Sequence, residues 1–185
     1  MGNVIFGMTM SLDGFINDRN GSVARLYPDL EGLGNTESLQ EAMRTTGAVI
    51  MGRRSYDMGN GDFTGYEFQN PIFVVTHHVP EKAAKGENEN LKFTFVTDGV
   101  ESAIRQAKAA AAGKNVTVVG GVSIAQQLIE AGLVDELQID IMPVLLGGGL
   151  RLFDQLGRQV ELATTKVAQP GAVDGRIELQ FRVVK

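Results

Sequence analysis

Two adjacent glycines, Gly120 and Gly121, stand between a β-branched run, Asn115 to Val119, and a segment, Val122 to Ala131, whose Ile124, Leu128 and Ile129 share one helical face. Glycine at a strand-to-helix turn lets backbone N–H groups approach an anion, with the positive end of the helix dipole aimed at it. The chemistry this favours is phosphate binding, so a phosphate-bearing cofactor is the first expectation. The spacing fits neither G-x-G-x-x-G nor G-x-x-x-x-G-K-[ST], and a tight turn alone can call for glycine, so context must decide. Gly52-Arg53-Arg54-Ser55 is the second candidate. Its arginine pair sits at an expected helix start and reads either as solvated surface or as an anion contact.

Other chemistries fall away. Cysteine is absent, which excludes disulfides, thiolate zinc sites and a cysteine nucleophile. Ser123, in Gly121-Val122-Ser123-Ile124-Ala125, nearly matches a nucleophile elbow, yet His77 and His78 both precede it, against the nucleophile, acid, histidine order of such hydrolases. Two adjacent histidines on an extended segment point to opposite sides, so they do not chelate together and no metal site is expected. The net charge of -5 is dispersed, which argues against a nucleic-acid partner. No apolar run is long enough to cross a bilayer. The opening MGNVIFGMTMSLDG lacks a basic start and reads as a first strand instead of a signal peptide, which suits a cytoplasmic protein.

The elements that must position these residues alternate along the chain, whose 185 residues suit a single domain over 1–185. Strands are expected at Asn3 to Met10, Ala48 to Met51, Pro71 to Thr76, Leu91 to Val96, Asn115 to Val119 and Glu136 to Val144. Between them come a loop from Asn17 to Gly34, a helix from Thr36 to Thr45 capped by Thr36, and an alanine-rich helix from Val100 to Ala112 with Asp98 as cap and Gly113 at its end. Glu161 to Val167 and Arg176 to Val184 alternate around Pro170-Gly171 and Asp174-Gly175, the pattern of an antiparallel hairpin. The fold class is therefore α/β, three-layered, with a central mostly parallel sheet, flanking helices and a carboxyl-terminal antiparallel hairpin. Ligands of such sheets bind beyond the carboxyl ends of the strands. Thr9, Gly52, Thr76, Asp98 and Gly120 all fall there, on one expected rim.

The set MTMSLDGFI, VIMGRRSYD, VVTHH, VVGGVSIAQQLIEAGLVDEL and PVLLGGGLRLF resembles, in order over nearly the whole chain, the reductase domain at the carboxyl end of the riboflavin-biosynthesis deaminase/reductase, the RibD C-terminal domain. The resemblance implies a dihydrofolate reductase-like fold and an NADPH cofactor. It implies that Gly120, Gly121, Val122, Ser123 and Ile124 hold the pyrophosphate, with Gly52, Arg53, Arg54 and Ser55 opposite. By the same resemblance Arg54, Thr76 and His77 surround the adenosine ribose and its 2′-phosphate, Thr9 and Ile16 border the nicotinamide, and Val75 and Val119 complete the cofactor wall. In dihydrofolate reductases an acid on the first helix binds the substrate, and its place falls near Thr36 or Glu37, which makes Glu37 the catalytic candidate; the leading reading of Glu37 is a first-turn acid stabilised by the helix dipole.

The implied substrate is a small heterocyclic or ribosylamino compound, reduced by hydride transfer. The riboflavin-pathway substrate carries a phosphate, for which Arg19, Arg25 and Arg151 are the candidate partners. The zinc deaminase signature H-x-E with P-C-x-x-C is missing. A homodimer is expected, with the apolar PVLLGGGLRLF stretch available for contact. The alternatives are a broad-specificity dihydrofolate reductase-like enzyme and a nucleotide-binding module without turnover.

Overall fold

The computed structural model describes residues 2–154, 156–169 and 175–185. Chain order begins with β1 (Val4–Ser11), α1 (Leu30–Gly34), α2 (Glu37–Thr45), β2 (Thr46–Gly52) and α3 (Arg53–Met58). It continues through β3 (Ile72–Val75), β4 (Phe93–Val96), α4 (Val100–Ala110), β5 (Asn115–Val119), α5 (Val122–Glu130) and β6 (Glu136–Met142), and closes on β7 (Leu162–Ala168) and β8 (Ile177–Val183). These strands form one eight-stranded sheet in the order β4-β3-β2-β5-β1-β6-β8-β7. Neighbours from β4 across to β6 pair in parallel, whereas β8 runs antiparallel to both β6 and β7. The expected α/β architecture is therefore present. The Pro170-Gly171 and Asp174 part of the expected hairpin turn lies outside the described residues.

Period-two alternation divides the core between the two faces of the sheet. In β2, Ala48 and Ile50 join a cluster with Val4, Phe6, Val116 and Val118, covered by Ala103, Ile104 and Ala107 of α4 and by Ala125 and Leu128 of α5. Val49 and Met51 point the other way, into a second cluster with Ile72, Val74, Tyr56, Phe63 and Phe68. That second cluster covers only the β2, β3 and β4 side of its face. Across β1, β6 and β8 the same face carries, apart from Ile5, mostly polar or minimal side chains, and a cleft opens above Gly7, Thr9, Gln138, Asp140, Glu178 and Gln180.

Local signals set several boundaries. Thr36 caps α2 by accepting from the Leu39 N–H at 3.3 Å, and Leu39, Ala42 and Met43 pack on the second cluster as their spacing predicts. α5 follows its expected stripe, with Ile124, Leu128 and Ile129 buried. Asp98 does not cap α4: the cap position is Gly99, at φ 101, and no side chain bonds the helix start. The stretch from Asn17 to Gly34 is a loop as expected except for its last turn, α1, whose cap Asp29 accepts from the Gly32 N–H at 2.7 Å. Among the described residues no helix is long and apolar enough to cross a membrane.

Candidate functional site

β2 and β5 are adjacent and parallel, so the loops that follow them emerge side by side. Gly120 and Gly121 have φ 71 and φ 82, a left-handed backbone that glycine adopts without strain. The loops are in contact there: a Cβ on Gly121 would lie 3.1 Å from the Gly52 Cα and 3.3 Å from Ile124 Cγ1, and one on Gly120 would overlap Ser55 Oγ. No side chain caps α5. Its first-turn N–H groups have no intrahelical carbonyl to bond, so Val122, Ser123 and Ile124 present donors at the positive end of the helix. Val122 and Ile124 bury their side chains in the core, which leaves their backbone to do this; the Ser123 hydroxyl accepts from Gln127 Nε2 at 3.0 Å.

This glycine loop opens onto a cleft of about 1130 Å³. Of the residues expected at a cofactor, Thr9, Ile16, Ser55, Val119, Gly120 and Gly121 line it. Ile16 is set in place through its N–H, which donates to the Leu150 carbonyl at 2.9 Å. Gly52, Arg53, Arg54, Val75, Thr76, His77, Val122, Ser123 and Ile124 do not line the cleft; the first six lie at the adjoining ends of β2 and β3 and the last three open α5. On that rim the Arg53 guanidinium is committed, donating to Asp57 Oδ1 at 2.7 Å and to the His78 carbonyl at 3.0 Å. Thr76 Oγ1 also donates to the His78 carbonyl, at 2.9 Å. Arg54 and His77 are exposed.

Two cross-strand rows make the cleft floor. Thr9 of β1 pairs with Asp140 of β6, which pairs with Glu178 of β8; one step along, Gly7 pairs with Gln138 and Gln138 with Gln180. All six line the cleft. Next to Asp140 lies Arg176, fully buried, donating from Nη1 to Asp140 Oδ2 at 3.0 Å and from Nη2 to the Leu26 carbonyl at 3.3 Å. Burial holds the Asp140 carboxyl above its ordinary range against the pull of Arg176, and Glu178 beside it adds to the rise. Burial likewise raises the Tyr27 hydroxyl in the wall above. Sequence reasoning missed this floor, although the alternation of Gln138 and Asp140 with apolar residues, repeated by Glu178 and Gln180, is its signal.

Glu37 stands elsewhere. It is exposed at the start of α2 and lines a pocket of about 300 Å³ that adjoins the large cleft, sharing Ser38, Gln138 and Gln180 with it, without itself lining the cleft. One residue on, a step of roughly 100° around the helix, Ser38 faces the cleft and donates its hydroxyl to Glu178 Oε2. The three candidate phosphate partners also stay out of the cleft lining. Arg19 donates to the Gly147 carbonyl at 2.8 Å, Arg151 donates to the Asp13 carbonyl at 3.2 Å and lies 4.5 Å over the Phe15 ring, and Arg25 is exposed. Asp13 serves the loop: it accepts from Ser11 Oγ at 2.6 Å and from the N–H groups of Leu146 and Gly147 at 3.1 and 2.8 Å. Ser11 first and those N–H groups next hold its carboxyl below the usual range. Among the described residues no group of three or more His, Cys, Asp or Glu is placed to hold a metal ion.

The sequence profile of the RibD C-terminal domain matches residues 3–173. The chain belongs to that family. This RibD C-terminal domain is 27% identical over 177 residues to the uncharacterized protein YyaP of Bacillus subtilis (strain 168), covering 92% of this chain and 91% of that one. Among solved structures it is similar to the "Putative riboflavin biosynthesis protein" of Shewanella sp. PV-4, with TM-score 0.81 and 21% identity over 99% of each chain. A dihydrofolate reductase of Enterococcus faecalis, complexed with NADP(H), matches with TM-score 0.60 and 14% identity over 100% of this chain and 98% of its own. The RibD C-terminal domain described here thus has a dihydrofolate reductase-like fold and belongs to a family of reductases.

Proposed function

We propose that this chain is an NADPH-dependent reductase that delivers a hydride to a small heterocyclic or ribosylamino substrate. The observation that carries the reading is the uncapped start of α5 directly behind Gly120-Gly121, two glycines that line a cleft of about 1130 Å³. Phosphates suit this cradle because it offers backbone donors, a favourable dipole and no Cβ in the way. The dihydrofolate reductase-like neighbour complexed with NADP(H) supports the same cofactor.

Bound NADPH supplies the hydride; the chain supplies position, dryness and charge. Gly120, Gly121 and the first turn of α5 hold the pyrophosphate, and exposed Arg54 and His77 lie where the 2′-phosphate end would extend. Thr9, Ile16 and Val119 border the nicotinamide end, next to the polar floor where the substrate is held. Glu37, outside the large cleft, is left to the first turn of α2. Exposed Leu145, Leu150 and Phe153 support a homodimer through that stretch; a monomeric mass by light scattering at micromolar concentration would contradict it.

Loss of NADPH absorbance in the presence of a ribosylaminouracil phosphate, dihydrofolate or simple carbonyl compounds tests turnover. Oxidation with any of them is the expected result. Tight NADPH binding with no oxidation by any candidate would favour the binding module.

A further inference from the structure

The lining of the large cleft has one sign of charge. Among the described residues it includes Asp62, Glu67, Asp140 and Glu178 and not a single Lys, Arg or His. Arg176, beside Asp140, is fully buried and paired with it, so it does not present a free charge to the cleft. A substrate phosphate set over Asp140 and Glu178, away from the start of α5 and from Lys166 of the adjoining pocket, would face two carboxylates, and like charges repel.

Glu178 is the sharpest element of this floor. Its residue is 5% exposed, yet it lines the cleft. Ser38 satisfies Oε2, and Oε1 has no hydrogen-bond partner among the described residues. Oε1 keeps access to the cleft, so a ligand N–H there would take the place of water as its donor. Beside it, the amides of Gln138 and Gln180 make no side-chain hydrogen bond among the described residues, so a ligand finds both donors and acceptors. Toward the mouth the chemistry changes: Leu30 and Met58 are exposed apolar residues that also line the cleft, at 69% and 62% exposure.

From this arrangement we infer that the substrate is unphosphorylated and neutral or cationic, with an N–H-donating head read by Glu178, Asp140, Gln138 and Gln180 and an apolar body resting at Leu30 and Met58. Amidines, aminoheterocycles and amides fit this class; phosphate esters do not. Two N–H groups on one carbon match a carboxylate in fork geometry, the strongest neutral-to-ionic or ionic pairing available to it. The inference rests on the reductase reading, because it assigns the substrate half of the same cleft.

Benzamidine and phenyl phosphate, equal in their ring and opposite in head-group charge, test it by calorimetric titration into the NADPH-mixed protein and into the protein alone. Benzamidine is expected to bind at least about tenfold more tightly than phenyl phosphate. Glu178→Gln should weaken benzamidine by about tenfold, as loss of one ionic partner implies. Gln180→Lys leaves the buried Arg176 pair intact and should shift preference toward phenyl phosphate, which keeps the test sharp if the first variant fails to fold. No detectable benzamidine binding up to about 10 mM, a range that still reports very weak complexes, would overturn the inference. So would phenyl phosphate binding as tightly as benzamidine, or benzamidine affinity unmoved in the folded variants. A separate NADPH titration distinguishes the failures: NADPH bound with phosphate preferred removes the substrate class alone, whereas NADPH unbound removes the reductase reading.

Discussion

Gly52 and Gly121 meet backbone to backbone, since a Cβ on either would fall 3.1 to 3.2 Å from the Cα of the other. The loops after β2 and β5 are thereby held together at the head of the cleft. Gly121→Val adds a branched side chain at φ 82 as well as this contact, so it should destabilise the fold by about 1–3 kcal/mol and lower NADPH affinity at least about tenfold. Gly52→Ala has an ordinary backbone, φ -79, and isolates the contact from the strain; a smaller loss of melting temperature with a measurable loss of affinity is expected. Thermal melts paired with calorimetry check both variants.

Arg54 is exposed at the rim and makes no hydrogen bond or ion pair within the described chain. If it meets the 2′-phosphate, Arg54→Ala should reduce NADPH affinity roughly tenfold, consistent with one charge-assisted hydrogen bond, while NADH binding stays where it was. Equal loss for the two cofactors would remove Arg54 from this role.

Arg176 is fully buried, and its partner Asp140 lines the cleft floor. Arg176→Ala leaves the half-buried Asp140 carboxylate without its partner and removes a buried side chain, so it should destabilise the fold, by less than the about 3–5 kcal/mol of a fully buried pair because Asp140 reaches the cleft. Replacing both, Arg176→Met with Asp140→Leu, should recover most of that stability. Urea unfolding of the single and double variants measures the difference, and a double variant no better than the single would contradict the pairing.

The expected acid sensitivity comes partly from Asp135. Burial alone would raise its carboxyl, but Lys185, 2.5 Å from Oδ1, and the Val4 N–H outweigh it and leave the group below its ordinary range. A carboxylate with a lowered folded value adds stability above its unfolded range and loses it as pH falls through the folded value. Asp135→Asn should therefore be less stable than wild type near neutrality and converge on it in acid. A stability gap that stays constant between neutral and acid urea titrations would count against this.

What was legible in the sequence was local. The β-branched run before Gly120, the stripe Ile124, Leu128 and Ile129, and Thr36 ahead of Leu39 each depend on neighbours within a turn, and each appears where its spacing puts it. Asp98 failed as a cap because Gly99, at φ 101, takes that place. The cleft floor was not legible for a different reason. Asp140 and Glu178 become neighbours only through the antiparallel register of β6 and β8, and nothing in either segment fixes that register. Glu37 and Ser38 differ by a single residue in sequence, yet helix geometry sends only Ser38 into the large cleft.

A co-crystal structure with NADPH addresses the central claim most directly. The account predicts a dinucleotide along the cleft with its pyrophosphate within hydrogen-bond reach of the N–H groups at Gly120, Gly121 and the first turn of α5. A dinucleotide bound elsewhere, or crystals grown at saturating NADPH with none at these glycines, would contradict it.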